Sequence, residues 1–444
     1  MATVETAVVA VVAATATAAA AVIAEHSGVA KASSTSVTDR ISRLDNGLTI
    51  ATDRVHGARS VAIGVWVGVG SRDERPEQAG VSHFLEHLLF KGTPTRSATD
   101  ISRSVDRVGG DINAFTAKEY TSYYCRLPSR HTAFGLELLG DVLTHSELTD
   151  KDVESERQVI LEELAMDDDA PDDVALRTLT QQLFAGHGLG RDTAGERETV
   201  RSITADDVRS FFGAHYTTPV TVVALAGDVD HDDVVDAVQS AFADMPTTDG
   251  HIPRSAPAAV GENVDIDDDS EQVHLAIGGR SLRRDHPDRE ALDVVNHVFG
   301  GGLSSRLFDE IRERRGLAYS VYSATSAYAD AGAWSVYAGA MPEHAGEVHG
   351  LVLSELERLV DGGITDEELA IAVGYLTGAY EMGLEDTGAR MSRLGGMLVT
   401  LGSVRSVEDQ LARWESVRRD DVQRVIRDVY GAAAPVTVAV GPEY

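Results

Sequence analysis

The most constraining feature of the sequence is an order of strand-like and helix-like segments that occurs twice. Residues 246–269, rich in proline, glycine and polar residues, separate the two occurrences. On each side an apolar strand is followed by an amphipathic helix, a pair of strands, further helical sequence and a closing apolar strand. We therefore predict an α+β fold of two similar α/β-sandwich domains, in which helices pack on an antiparallel-rich sheet.

Changes in composition set the predicted boundaries: an Ala-rich flexible tail over 1–39, a first domain over 40–245, a linker over 246–269 and a second domain over 270–444. Residues 7–24 are apolar, but Glu5 precedes them and no Lys or Arg does, so the charge pattern of a signal peptide is absent. We predict a cytoplasmic protein without a membrane span, although this segment leaves secretion or anchoring open.

The stretch VSHFLEHLLFKGT, residues 81–93, places three polar residues on an apolar helix. His83 and His87 are four apart and share a face, and Glu86 lies on an adjoining part of it. Two imidazoles at this spacing can bind one zinc ion, and H-x-x-E-H is the inverted form of a zinc peptidase motif. Glu86 cannot comfortably bind the same metal, so we predict that it is the general base. The alternative is a structural helix with hydrogen-bonded histidines.

A second helical stretch, residues 154–171, supplies candidates for the third ligand that a catalytic zinc needs. Glu156 and Glu163 are seven apart and share one face with Ile160 between them. Glu162 points elsewhere on this helix and is the next choice if Glu163 is not a ligand. These carboxylates are therefore candidates for a metal ligand and a supporting group.

The internal order of segments suggests that the zinc motif has a counterpart in the second half. Residues 84–92, FLEHLLFKG, align with residues 294–302, VVNHVFGGG. The alignment pairs Glu86 with Asn296 and His87 with His297, and one residue before it His83 stands opposite Asp293. The hypothesis is a repeat whose second copy has lost the chemistry.

Charge and cysteine content narrow the classes of partner. The 39 basic and 71 acidic residues give a formal charge of −32, which argues against nucleic acid, since its recognition rests on basic contacts to phosphate. Cys125 is the single cysteine, so no intrachain disulfide forms, which fits a reducing compartment. It stands in the alternating run TSYYCRLPS and is interpreted as a core strand residue rather than a nucleophile.

In its zinc motif and in several other stretches, the chain resembles the pitrilysin and insulysin family of inverted-motif zinc metallopeptidases. Within that family it is most similar to the short, two-domain branch that includes mitochondrial processing peptidase and its bacterial relatives. The resemblance extends from about residue 40 to the C-terminus. It rests on LDNGLTI, GVSHFLEHLLFKGT, GGDINAFTAKEYTSYY, ERQVILEEL and SSRLFDEIRERRGLAYSV.

The resemblance implies roles at the metal. His83, His87 and Glu163 match the ligands of one zinc ion per chain, Glu86 matches the base, and Glu156 matches an acid that supports the site. The motif is complete, and the loop FGGGLSSRL is short, whereas the α-type subunits of processing peptidases carry a long glycine-rich loop there. Both features place the chain with the catalytic members.

The resemblance also implies how substrate is held. Asn113 and Ala114 match an edge strand to which substrate adds as an extra β-strand. Arg312 and Tyr319 keep the family's seven-residue spacing, where the pair helps hold the scissile carbonyl and its oxyanion. Members of this length pair around a chamber, so a homodimer or a heterodimer with a related chain is expected. In that arrangement Arg312 and Tyr319 act at the partner's zinc.

We therefore predict a zinc metalloendopeptidase that cleaves unfolded peptides or presequences in a closed chamber. The first alternative is a non-catalytic scaffold or partner subunit of a processing-peptidase-like complex. The second is a structural zinc protein, although structural sites usually have four protein ligands.

Overall fold

The structure, a computed structural model, describes residues 39–444. The predicted tail therefore lies outside the described residues except for Asp39, and so does the apolar segment 7–24. The described strands are, in chain order, β1 (Asp39–Arg43), β2 (Thr49–Arg54), β3 (Ser60–Val67), β4 (Gly92–Thr93), β5 (Arg96–Ser97), β6 (Asp111–Thr116), β7 (Thr121–Pro128), β8 (Thr221–Gly227), β9 (Val264–Asp267), β10 (Val273–Ser281), β11 (Ala318–Ala327), β12 (Gly332–Ala340) and β13 (Val436–Gly441).

The α-helices of the same range are α1 (Val81–Leu88), α2 (Ala98–Val108), α3 (Thr132–His145), α4 (Asp150–Asp168), α5 (Pro171–Leu183), α6 (Arg197–Ser202), α7 (Ala205–His215), α8 (His231–Ala241), α9 (Arg289–Asn296), α10 (Pro342–Gly362), α11 (Asp366–Gly383), α12 (Thr387–Leu401), α13 (Val407–Glu415) and α14 (Arg419–Val425). A π-helical turn over His297–Gly301 continues α9.

The first compact unit is built on a six-stranded sheet in the order β1-β2-β8-β3-β7-β6. Only the β2–β8 pair is parallel. Side chains of β3 alternate between the two faces. Ile63 faces α3, where Gly135 leaves room for it, and Trp66 packs on the other face with Met391 and Leu394 of α12. The sheet is therefore covered on both faces.

Cys125 lies in the interior of this sheet, on β7, where it is fully buried. Burial raises the pKa of its thiol to about 12. A buried thiol that stays protonated is a poor nucleophile. The structure thus places Cys125 in a strand of the core, as its alternating neighbours indicated.

The second compact unit is built on a five-stranded sheet in the order β11-β12-β10-β13-β9. Only the β13–β9 pair is parallel. On one face, Ile277 and Trp334 pack in a core that includes Phe299. On the other face, Ala276 packs with Leu179 of α5. This sheet too is covered on both faces.

The two sheets share one topology. In chain order, strands β2, β3, β6, β7 and β8 correspond to β9, β10, β11, β12 and β13, because the sheet orders β2-β8-β3-β7-β6 and β9-β13-β10-β12-β11 are then identical. The parallel pair also falls at the same place in both sheets. Helix α1 follows β3 as α9 follows β10. This correspondence supports the internal repeat, and the predicted α+β fold of two similar sandwich domains is confirmed.

Each compact unit contains a segment from the other half of the sequence. The predicted domains at 40–245 and 270–444 were continuous and did not include such segments. The first unit contains the described residues up to Ile160 with Thr193–Pro253 and Ala379–Ser406, and the second contains Leu161–Asp192, Arg254–Gly378 and Val407–Tyr444. Thus α12, from the second half of the sequence, packs on the first sheet, and α5, from the first half, packs on the second. The predicted linker also contains β9.

The physical reason for the position of α12 lies in its contacts. Gly395 faces the ring of Trp66 so closely that a Cβ there would overlap the ring. Arg390 forms an ion pair of 3.0 Å with Asp53, whose side chain is only 1% exposed. A buried carboxylate needs such a partner. Helix α12 is therefore an integral part of the first unit.

Candidate metal centre

Helix α1 is fixed at its beginning by a buried carboxylate. Gly80 precedes the helix with a φ of 98°, a conformation that favours glycine. The backbone N–H groups of Gly80 and Ser82 each donate to the Glu74 carboxylate at 2.8 Å. A carboxylate at this end satisfies unpaired N–H groups and complements the helix dipole. Phe84 and Leu85 are fully buried, so the remaining face of α1 carries the polar motif.

The polar motif meets the predicted third ligand. One potential ligand atom each from His83, His87 and Glu163 lie within 4.8 Å of one another. Glu163 belongs to α4, which runs unbroken past the unit boundary after Ile160. Two imidazole nitrogens and one carboxylate oxygen are the donor set of a catalytic zinc site with its fourth position open. The residues present therefore fit a zinc ion.

The alternative third ligand, Glu162, is exposed and is not part of this group. Within residues 39–444, the group of His83, His87 and Glu163 is the single set of three His, Cys, Asp or Glu side chains placed to hold a metal ion.

Further acidic groups lie near Glu163 on the same side of α4. Burial, together with the carboxylates of Asp192 and Glu163, raises the pKa of Asp167 to about 6. Burial is the larger cause of this shift, and the contribution of Glu163 shows that its carboxylate and that of Asp167 are close enough to repel each other.

His87 is oriented by a second carboxylate. Its Nδ1 atom lies 3.3 Å from Oε2 of Glu156, which leaves Nε2 as the atom for a metal. The other oxygen of Glu156 forms an ion pair of 2.5 Å with Lys91. Burial opposes ionisation of Glu156, but the hydrogen bonds to His87 and Lys91 outweigh it and lower the pKa of Glu156. Sequence reasoning missed Lys91, although its position four residues after His87 was a usable signal.

Glu86 has a partner from another element. The Oγ1 hydroxyl of Thr116 donates to Oε2 of Glu86 at 2.7 Å. Thr116 is the last residue of β6 and is buried. Sequence reasoning did not select Thr116, because 30 residues separate the two side chains and only the folded sheet brings them together.

Asn113 and Ala114 lie on β6, which is the edge strand of the six-stranded sheet. They pair with Tyr124 and Tyr123 of β7 on one side. The N–H of Ala114 donates to Oδ1 of its neighbour Asn113 at 2.9 Å. An edge strand can accept a further strand on its open side.

Arg312 and Tyr319 are in contact with each other in the second unit. An Nη atom of Arg312 donates to the backbone oxygen of Tyr319 at 3.0 Å, and the guanidinium carbon lies 4.5 Å from the centroid of the Tyr319 ring. The Tyr319 residue is 77% exposed. The seven-residue spacing thus produces a paired cation and phenol that solvent can reach.

In the second unit, the residues that align with the zinc motif are engaged in stacking and hydrogen bonding. His297 is buried and stacks on Tyr375, with ring centroids 4.2 Å apart. Burial lowers the pKa of His297 to about 4. Asp293 accepts a hydrogen bond of 3.1 Å from the indole N–H of Trp414. These polar side chains are used in packing and hydrogen bonding.

Comparisons with known proteins place the chain among peptidase-related proteins. Residues 49–197 match the model of the insulinase family, peptidase family M16, and residues 202–376 match that of the peptidase M16 inactive domain. An uncharacterized zinc protease of Streptomyces coelicolor is 44% identical over 91% of this chain and 90% of its own length. One of Bacillus subtilis is 36% identical over 87% of this chain and 94% of its own. The chain therefore belongs to the M16 peptidase family, the family of pitrilysin and insulysin, as its motifs indicated.

Solved structures show the same fold. A protease from Helicobacter pylori superposes with a TM-score of 0.86 at 24% identity, covering 91% of this chain and 99% of that one. A peptidase M16 inactive domain from Pseudomonas fluorescens superposes with a TM-score of 0.85 at 21% identity, covering 91% of this chain and 98% of that one.

Among the described residues, no helix combines the length and apolar character that crossing a membrane would need.

Proposed function

We propose that this protein is a zinc-dependent endopeptidase that cleaves unfolded peptides or presequences. The observation that carries the proposal is the donor set of His83, His87 and Glu163, whose ligand atoms lie within 4.8 Å of one another. The hydrogen-bonded carboxylate of Glu86 stands on the same helix as the two histidines. Relatives named zinc proteases support the choice of metal.

The proposed chemistry divides between the metal and the chain. A bound zinc ion supplies Lewis-acid polarisation of water and of the peptide carbonyl. Glu86 takes the proton from the attacking water and passes it to the leaving amine. Glu156 holds His87 in orientation from behind. Arg312 and Tyr319 donate to the oxyanion that forms on the carbonyl.

The proposed binding mode uses the edge of the first sheet. An extended peptide adds next to Asn113 and Ala114 on β6 and pairs through main-chain hydrogen bonds. That mode tolerates many sequences but requires an extended chain, which favours unfolded peptides over folded proteins. The resemblance to two-domain family members adds that two chains pair around a closed chamber.

The experiment for this function is cleavage of a quenched-fluorescent library of unstructured peptides by the purified protein. We expect cleavage that a chelator abolishes and stoichiometric zinc restores. A non-catalytic scaffold or partner subunit would cleave nothing alone and would be recovered from its source with other chains bound. Cleavage that survives complete removal of metal would contradict the proposal.

Complementation tests whether two copies share the site. Glu86→Gln and Arg312→Ala are each expected to be inactive alone. In a mixed homodimer that uses Arg312 of one chain at the zinc of the other, one of the two sites keeps both residues, so mixing the variants should restore activity. If Arg312 acts in its own chain, or if the partner is a different protein, the mixture stays inactive.

A further inference from the structure

We propose that Thr116 is the positioning residue for Glu86, and that its hydroxyl holds one oxygen of the general base so that the other faces the reacting water. This inference rests on the proposed function and adds to it a residue that touches neither metal nor substrate. It starts from the hydrogen bond of 2.7 Å that Thr116 Oγ1 donates to Glu86 Oε2.

The hydroxyl has one proton and two acceptors within reach. The backbone oxygen of Ser82 lies 3.5 Å from Thr116 Oγ1, at the limit of a hydrogen bond, whereas Oε2 of Glu86 lies at 2.7 Å. A hydrogen bond to a carboxylate is also stronger than one to a neutral carbonyl. Thr116 is 4% exposed, so water competes little for the proton. The geometry therefore assigns the hydroxyl proton to Glu86.

Thr116 is mounted rigidly enough for this purpose. It ends β6 opposite Thr121, at a tight turn to β7. Two oxygens of that turn accept backbone N–H groups: Ala117 O from Ser71 at 3.1 Å and Lys118 O from Arg72 at 2.9 Å.

A buried ion pair closes the same turn. Arg72 and Glu119 lie 2.6 Å apart with side chains 2% and 1% exposed. Removing one partner of such a pair is strongly destabilising, so the pair ties Glu119 of the turn to Arg72. The hydroxyl of Thr116 is therefore presented to Glu86 from a fixed framework, as preorganised catalytic groups require.

The arrangement has a consequence for substrate binding. Thr116 lies two residues after Ala114, on the strand that we propose as the template for the peptide. One rigid element would thus fix both the scissile bond and the base that acts on it. A base held in this way loses rate, rather than affinity, when its support is removed.

The test compares Thr116→Val, which keeps the shape and removes the hydroxyl, with Thr116→Ser, which keeps the hydroxyl. Thr121→Val is the matched control, since Thr121 is the buried first residue of β7, lies opposite Thr116, and has a hydroxyl that donates to Val69 O rather than to Glu86. We expect Thr116→Val to lower kcat by roughly 10- to 100-fold, with KM and zinc content unchanged. The kcat of Thr116→Ser and of Thr121→Val should stay within roughly threefold of the wild-type value, since in both variants residue 116 keeps a hydroxyl that can donate to Glu86.

A second readout does not depend on activity. A double-mutant cycle in zinc-free protein compares the shifts in unfolding midpoint caused by Thr116→Val, by Glu86→Gln and by both together. We expect the double variant to shift less than the two single variants together. The inference would be overturned if Thr116→Val had the same kcat as wild type, or if it lost zinc and its KM rose as kcat fell. Additive shifts in the unfolding midpoint would also overturn it. A wild type that cleaves no peptide would overturn the proposed function, and the role of Thr116 with it.

Discussion

His87 and Glu156 are joined by a contact of 3.3 Å between Nδ1 and Oε2. The contact fixes the ring so that Nε2 is the nitrogen available to a metal. Burial opposes ionisation of Glu156, but the hydrogen bonds from His87 and Lys91 to its two oxygens lower its pKa, so the carboxylate stays ionised in a buried position. An ionised partner increases the basicity of the imidazole, and hence its strength as a ligand.

Glu156→Gln tests this relationship. The substitution keeps the shape but removes the charge that Lys91 and His87 share, so zinc affinity should fall by roughly 10- to 100-fold. Competition with a fluorescent chelator measures the affinity. Glu154→Gln is the control, because Glu154 lies on the same helix with a side chain 66% exposed and pairs only with Arg157 among the contacts described. Equal affinities in both variants would mean that Glu156 does not support the metal.

The third ligand can be tested with neighbouring glutamates. Glu163→Gln replaces the carboxylate of the three-residue group by a neutral amide, a much weaker ligand for zinc, whereas Glu162→Gln changes an exposed residue outside the group. We expect Glu163→Gln to purify with little zinc and Glu162→Gln to keep a full equivalent. Metal analysis after dialysis measures both. The reverse result would make Glu162 the ligand.

Two adjacent glycines of α12 test its place in the first unit. Alanine at Gly395 would drive a Cβ into the Trp66 ring, so we expect the free energy of unfolding to fall by about 1–3 kcal/mol. Gly396 has open space around its Cβ position, and alanine there should stabilise the helix by up to about 1 kcal/mol. Denaturant unfolding measures both. Equal effects at the two positions would contradict the packing of α12 described above.

Buried His297 should make stability depend on pH. Its folded-state pKa is lowered to about 4 from a usual value of 6.5, so the unfolded chain binds a proton that the folded chain rejects. The stability that His297 contributes is complete above pH 6.5 and is lost as the pH falls towards 4. Between pH 7 and pH 5 this amounts to about 2 kcal/mol.

His297→Phe removes the titrating group and keeps an aromatic ring against Tyr375. We expect the loss of stability between pH 7 and pH 5 to be smaller in this variant than in wild type by about the 2 kcal/mol given above. Thermal unfolding at the two pH values measures the difference. An unchanged pH dependence would show that folding does not lower the pKa of His297.

Local patterns predicted much of the candidate site, because helical spacing alone places His83, His87 and Glu86 together and puts Glu156 and Glu163 on one face. The pairing of these two helices came from the resemblance. The contact of Thr116 with Glu86 could not be predicted, since it depends on how the β6–β7 hairpin lies against α1.

The fold was predictable for a similar reason. Strand and helix periodicities are local, so the repeated order of segments was visible, but periodicity does not say on which sheet a helix packs. The exchange of α5 and α12 between the units was therefore missed. Helices α11 to α14 had no prediction, although Met391, Leu394 and Leu398 of α12 form an apolar stripe at helical spacing that could have signalled one.

The central claim is that Glu86 is the base of a zinc peptidase site. The most direct test is the turnover of an unstructured quenched-fluorescent peptide by wild type and Glu86→Gln, with the zinc content of each sample measured in parallel. We predict one zinc per chain in both proteins and a turnover lower by roughly 100- to 10,000-fold in the variant, because it loses the base but no ligand. Wild-type turnover by Glu86→Gln, or loss of its zinc, would contradict the claim.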